Sequence, residues 1–144
     1  MQDLTRQDIG KLGEELVERW LIERGVKILQ RRWRWRRGEI DTIAIEGDTL
    51  LFVEVKTRSS ENWDADGLLA ITPQKQQKLV QTAELFLLKY PHLVELSCRF
   101  DVAIVHYQRS AKISFPQPLY SRVDPDRGDR FSLVDYLAGA FELE

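Results

Sequence analysis

Glu39, Asp41, Glu54 and Lys56 are the residues whose types and spacing point to chemistry. They lie in GEIDTIAIEGDTLLFVEVKT, two β-rich runs around Gly47-Asp48, a pair suited to a type II′ hairpin turn. A two-residue turn fixes the register. Glu46 faces Thr49, Ile43 faces Phe52, Asp41 faces Glu54 and Glu39 faces Lys56. Side chains alternate along a strand, so the four charges share one face at one end of the hairpin. Adjacent carboxylates raise each other's pKa, and burial raises both further. A divalent cation relieves that conflict. Mg²⁺ or Mn²⁺ takes oxygen ligands, and Asp41 and Glu54 suit it, with the Val55 carbonyl as a third ligand. Such an ion polarises a phosphodiester and activates water. Lys56 would orient that water or stabilise the charge of the transition state. The bland alternative is an ion pair between Lys56 and Glu39, with Asp41 merely opening a strand.

The hairpin must be held by other elements. Ile43, Ile45, Leu50 and Phe52 continue the charged face; Ile40, Thr42, Ala44, Leu51, Val53 and Val55 form the other. Both faces are mostly apolar, so the hairpin belongs in a sheet covered by helices on both sides. Ile9, Leu12, Leu16 and Trp20 predict a helix over 9–24, with Gly25 as its stop. Gly10 and Gly13 suit a close approach at its start. Glu14 flanks the apolar stripe and looks inward, whereas Glu15, Glu18 and Arg19 point away. Val26 to Leu29 suggests a short strand. Thr72-Pro73 starts a second helix that Pro91 ends. Cys98 to Tyr107 reads as a strand and Lys112 to Phe115 as another. Residues 58–71 and 116–130 read as loops, and Ser132 as the cap of a short helix through Phe141.

A net charge of −2 over 144 residues hides an asymmetry. Seven of the 21 basic residues fall between Arg24 and Arg37, with no acidic residue among them. The remaining 14 face 23 acidic residues, so one short cationic segment sits on an acidic body. Arg31, Arg32, Arg34, Arg36 and Arg37 could grip a phosphate backbone. Trp33 and Trp35 share a strand face, where packing is a more common fate than base stacking. Lys75, and beside it Lys78, are further candidates on the second helix. One cysteine and two histidines exclude a disulfide framework and a Cys- or His-rich metal cluster.

GKLGEE (10–15), RRGEIDTIA (36–44), FVEVKTR (52–58) and RFDV (99–102) together resemble the YraN family of uncharacterised bacterial proteins. The resemblance spans about residues 8–107. That family looks like the restriction-endonuclease-like superfamily and is similar to archaeal Holliday-junction resolvases. The resemblance implies a three-layer α/β/α sandwich with a central mixed β-sheet. It also implies a catalytic set of Glu14, Asp41, Glu54 and Lys56. Val17 stands where a small Ala is usual in the family, and Arg32 where Asn is usual.

The expectation is one nuclease-like domain over residues 1–144, with a core of about 8–107 and a C-terminal extension over 108–144. It is a metal-dependent protein that binds DNA and cleaves phosphodiesters, with branched or single-stranded-end substrates in view. The rivals are a nucleic-acid-binding module that keeps the fold without turnover, and an interaction protein whose acidic cluster is only an ion-pair network. No apolar run reaches the ~20 residues of a membrane span, and the first residues do not resemble a signal peptide. These point to a cytoplasmic protein. Analogy with the resolvases adds a symmetric homodimer as an expectation.

Overall fold

The structure, a computed structural model, describes residues 4–59, 71–109 and 117–141. Helix α1 (Arg6–Glu23) leads into strands β1 (Lys27–Trp35), β2 (Gly38–Glu46) and β3 (Thr49–Ser59). Helix α2 (Pro73–Lys89) and a single 3₁₀ turn (Pro91–Leu93) precede β4 (Ser97–Gln108), β5 (Tyr120–Val123) and β6 (Arg130–Phe141). The six strands form one sheet in the order β1-β2-β3-β4-β6-β5. Among the described residues only β3 and β4 pair in parallel, because α2 carries the chain back between them.

The sheet is covered on both faces, as its two apolar parities require. Leu16, Val17 and Leu21 of α1 pack on Ala44, Leu51, Val53, Val55, Ala103 and Val105. Ala83 and Phe86 of α2 pack on Trp33, Ile43, Leu50, Phe52 and Phe100 on the other side. Phe52, Phe86 and Phe100 are fully buried and in ring contact through Phe52. Each contributes roughly 1.5–3 kcal/mol by burial. The expected α/β/α layering is therefore the observed one.

Helix α2 begins at the expected Thr72-Pro73, whereas α1 begins at Arg6, ahead of the expected start at Ile9. Thr5 caps α1 by accepting from the Asp8 N–H, and Asp8 accepts from Thr5 in return. Thr72 caps α2 ahead of Pro73. Gly25 follows α1 at φ +87°, the left-handed stop that glycine favours.

Several expectations are corrected. Ser132–Phe141 is not a helix but most of β6, since its apolar residues find partners across β4. Residues 116–130 are not all loop; β5 lies among them. The basic stretch does not follow a short strand but belongs to β1, which runs to Trp35. β3 extends to Ser59, beyond the start expected for the loop. The strand expected over 112–115 falls outside the described residues.

The tip between β1 and β2 is a two-residue turn of Arg36 and Arg37 closed by the Trp35–Gly38 pair. Arg36 adopts φ +55°, a conformation that costs an L-residue with a side chain about 1 kcal/mol or more. Arg36→Gly is expected to raise stability by about 0.5 kcal/mol net of glycine's entropy. A higher urea midpoint at unchanged slope would report it.

Candidate functional site

The β2–β3 hairpin turns at Gly47, φ +59°, with the expected register: Glu46 with Thr49 and Ile43 with Phe52. The ladder ends at Thr42–Val53. The expected pairs Asp41–Glu54 and Glu39–Lys56 are thus not formed as ladder pairs, because β2 peels away from β3 at this level. The peeling leaves the Val55 N–H without a strand partner. Asp41 replaces it: its Oδ2 accepts from the Val55 N–H at 2.8 Å. Val55 was expected to serve through its carbonyl; its contact with Asp41 is through its N–H.

The same level is irregular in β1. Arg32, opposite this fork, takes φ +47°. Strand alternation fails there, and Arg31 and Arg32 both turn towards α1. Arg31 Nε donates to Glu18. Arg32 donates twice to Glu14, Nε to Oε1 at 2.9 Å and Nη2 to Oε2 at 3.4 Å. Trp33 then faces α2, its ring edge-on to Phe86. β2 loses alternation too: Ile40 joins Ile43 and Trp33 on the α2 side rather than Ala44 on the α1 side. Glu18, expected to point away, is buried because β1 reaches over it with Arg31.

These departures bring the expected acids near one another in two groups. Glu39, Glu54 and Lys56 line a small cleft between the sheet and α2. Lys56 Nζ lies 3.7 Å from Glu54 Oε1, so its partner is Glu54 and not Glu39. Glu39 instead meets Arg34 at 3.1 Å across the β1–β2 register. Asp41 sits at the fork. Burial first, then the charge of Glu54 and a hydrogen bond with it, push its carboxyl up to about 8. The Val55 N–H pulls the other way, and Glu39 adds a smaller upward push. Glu14 is also raised, mainly by burial, with Asp41 adding to it and Arg32 opposing. Among the described residues no three His, Cys, Asp or Glu side chains gather closely enough to hold a metal as they stand.

Of the expected phosphate-binding residues, Arg31, Arg32 and Arg34 are engaged by Glu18, Glu14 and Glu39. Arg36 and Arg37 are exposed on the turn. Trp33 is buried and stacks on the half-exposed Trp35. Lys75 and Lys78 line the cleft with Glu54 and Lys56. Sequence reasoning did not find Ile71, Leu79 and Thr82, which complete that lining.

Two glycines set the spacing of the site. A Cβ on Gly13 would fall 2.1 Å from Thr57 Oγ1, and one on Gly38 would fall 2.0 Å from Thr82 Oγ1. Gly13 precedes Glu14 and Thr57 follows Lys56; Gly38 precedes Glu39 and Thr82 lies on the cleft wall. Gly10, expected to serve similarly, has open space around it.

Away from this site, Asp101 is buried and accepts from Arg99 at 2.8 and 3.0 Å, from the Tyr136 hydroxyl at 2.6 Å and from the Gly139 N–H at 2.9 Å. The bonds from Tyr136 and Gly139 tie β6 to β4 and those from Arg99 hold the carboxylate for them, so the Arg99–Asp101 pair is structural. No helix among the described residues is long and apolar enough to cross a membrane.

The profile of the uncharacterised protein family UPF0102 matches residues 13–105, which contain every acid of the site and Lys56. The chain is 46% identical to a UPF0102 protein of Acaryochloris marina, over 94% of this chain and 90% of that one. It is 47% identical to a UPF0102 protein of a Synechococcus strain, over 95% and 93%. A third, from Thermosynechococcus vestitus, is 50% identical over 94% and 95%.

Proposed function

The chain belongs to the UPF0102 family, and we propose that it is a metal-dependent nuclease-like protein that binds DNA and cleaves its phosphodiester backbone. One observation carries this reading. Asp41 sits beside Glu54 at a strand fork, where burial first and the charge of Glu54 second push it up to about 8, with Lys56 3.7 Å from Glu54. A proton relieves that conflict in the metal-free protein; a divalent cation would do so with catalytic use.

Asp41 and Glu54 are the ligands for Mg²⁺ or Mn²⁺ on this reading, and a carboxylate pair suits those ions. When bound, such an ion supplies a Lewis acid at the scissile phosphate and makes a water more acidic. Lys56 places a cation where negative charge builds on the attacked phosphate. The Val55 N–H fixes the Asp41 carboxylate in its rotamer. Glu14 would complete the acidic shell from outside the pair, and Arg32 holds it there. Arg36 and Arg37, exposed on the turn, would meet the DNA backbone.

A second reading is a nucleic-acid-binding module without turnover. It is favoured by the Arg32–Glu14 contact, which occupies the third acid, and by the lack of a ready three-acid cluster among the described residues.

Incubation with single-stranded, duplex and branched DNA in Mg²⁺, Mn²⁺ or EDTA separates the two. The nuclease reading expects metal-dependent cleavage that Asp41→Ala, Glu54→Ala and Lys56→Ala each reduce by at least about 100-fold. Salt-sensitive binding without cleavage in any metal leaves the module.

A further inference from the structure

We propose that Trp35, at the tip of the β1–β2 hairpin, is a stacking platform for an unpaired base of a DNA single strand, with Arg36 and Arg37 on its phosphates. This rests on the proposed DNA binding and adds to it the part of the DNA that is gripped, the face of a base.

The two tryptophans of the basic stretch have different fates. Trp33 is 8% exposed and packs edge-on against Phe86 of α2, so it belongs to the core. Trp35 is 39% exposed. Their rings lie within 9° of parallel with centroids 6.4 Å apart, an offset stack. That stack starts in the core at Trp33 and ends at the surface at Trp35. A further planar ring can join it only at the Trp35 end.

The surroundings of that ring are cationic. Arg36 and Arg37 follow it in the turn, both exposed. From α2, Lys89 Nζ stands 5.4 Å from the centre of the Trp35 ring. An aromatic ring among cations is what binders of single strands present, since bases stack while phosphates are neutralised. Lys89 is not a barrier to a base. A cation over a ring at an exposed site is worth about two- to fivefold in an equilibrium constant, whereas stacking of a base is worth about five- to 150-fold. The exposed lysine therefore gives way, and its ammonium is left beside the incoming phosphates.

The platform adjoins the acids. Trp35 pairs with Gly38, Gly38 abuts Thr82, and Thr82 lines the cleft with Glu54 and Lys56. Lys89 and Thr82 are seven residues apart on α2, about 10 Å along its axis. A short strand anchored on Trp35 can therefore extend its backbone to the cleft.

The test is fluorescence anisotropy in EDTA with two labelled probes, dT12 and an abasic strand of the same length and charge. The wild type is expected to bind dT12 about tenfold more tightly than the abasic strand. Trp35→Ala is expected to lose that preference while its affinity for the abasic strand changes less than about twofold, which also shows that the variant is folded. Trp35→Phe keeps a ring and should retain at least about a threefold preference for dT12. Arg36→Ala/Arg37→Ala should weaken both probes alike and lower the slope of log affinity against log salt by about 1.4. A Trp35→Ala protein that still prefers dT12 tenfold would overturn the platform, as would equal loss of both probes in the two Trp35 variants. If the wild type binds both probes equally and salt-sensitively, the platform falls and the proposed DNA binding stands. If neither probe binds at low salt, both fall.

Discussion

Mn²⁺ is expected to bind about fiftyfold more tightly at pH 8 than at pH 6. The cause is the Asp41 carboxyl, pushed up to about 8 by burial and by Glu54. Below that value the ion must displace a proton; above it, the site is already charged and affinity levels off. At pH 7 each ion bound should release roughly 0.9 proton, which calorimetry in buffers of different ionisation enthalpy measures directly. The metal-free protein should respond in the opposite sense. Between the unfolded value of about 3.9 and the folded value of about 8, the folded state holds the extra proton. Stability is therefore fullest below pH 4 and is lost as pH rises through 8. The loss between pH 6 and 8 is on the order of 2 kcal/mol, or a fall in melting temperature of about 4–8 °C. Asp41→Asn keeps an oxygen for the Val55 N–H and removes the titration. It should melt at nearly the same temperature at both values and show no response to Mn²⁺. Mn²⁺ affinity that is flat from pH 6 to 8 would refute the assignment of Asp41 as a ligand.

Gly13→Ala is expected to cost about 3 kcal/mol. The new methyl would overlap Thr57 Oγ1, a hydroxyl buried with no hydrogen-bond partner. Neither side yields easily, since α1 and β3 are both packed in the core. Thr57→Ala removes the clashing oxygen, so the double variant should recover most of the loss. A double-mutant cycle by urea denaturation should give a coupling of about 2 kcal/mol. Additive losses would show that the glycine answers to the helix backbone and not to Thr57. Because Gly13 adjoins Glu14 and Thr57 adjoins Lys56, a variant that folds with its helix displaced should also bind metal less well.

The catalytic candidates were legible because a hairpin with a two-residue turn is arithmetic: once Gly47-Asp48 is placed, Ile43 must meet Phe52. The fork was not legible. It needs Arg32 at positive φ, a backbone state that glycine announces and arginine does not. Without it, Arg31 would not have shared the α1 side with Arg32, and Glu18 would have remained an exposed helix acid. The end of the chain failed for a different reason. Phe131, Leu133, Val134 and Leu137 satisfy a helical spacing as well as an interrupted strand. Pairing with β4 and the hydrogen bonds from Tyr136 and Gly139 to Asp101 decide between them. Those partners lie more than 20 residues away, beyond any local pattern. Lys75 and Lys78 could be named from the sequence, but their nearness to Glu54 depends on the crossover that lays α2 over β3.

An open sheet has two free edges, and each is a template on which another chain can add a strand. Among the described residues one edge is β5, only four residues long, and the other is β1. β1 is poorly suited to such templating. Its register slips between Ile28 and Gln30, and its backbone turns left-handed at Arg32. Exposed arginines at 31 and 34 line its second half, and Arg36 and Arg37 follow in the turn. A second copy approaching that edge would meet a broken row of hydrogen-bonding groups and a field of like charge. The distortion that delivers Arg32 to Glu14 thus also guards the protein against fibrous self-association. Straightening β1 by regularising residues 29–32 would endanger solubility before it touched the acids.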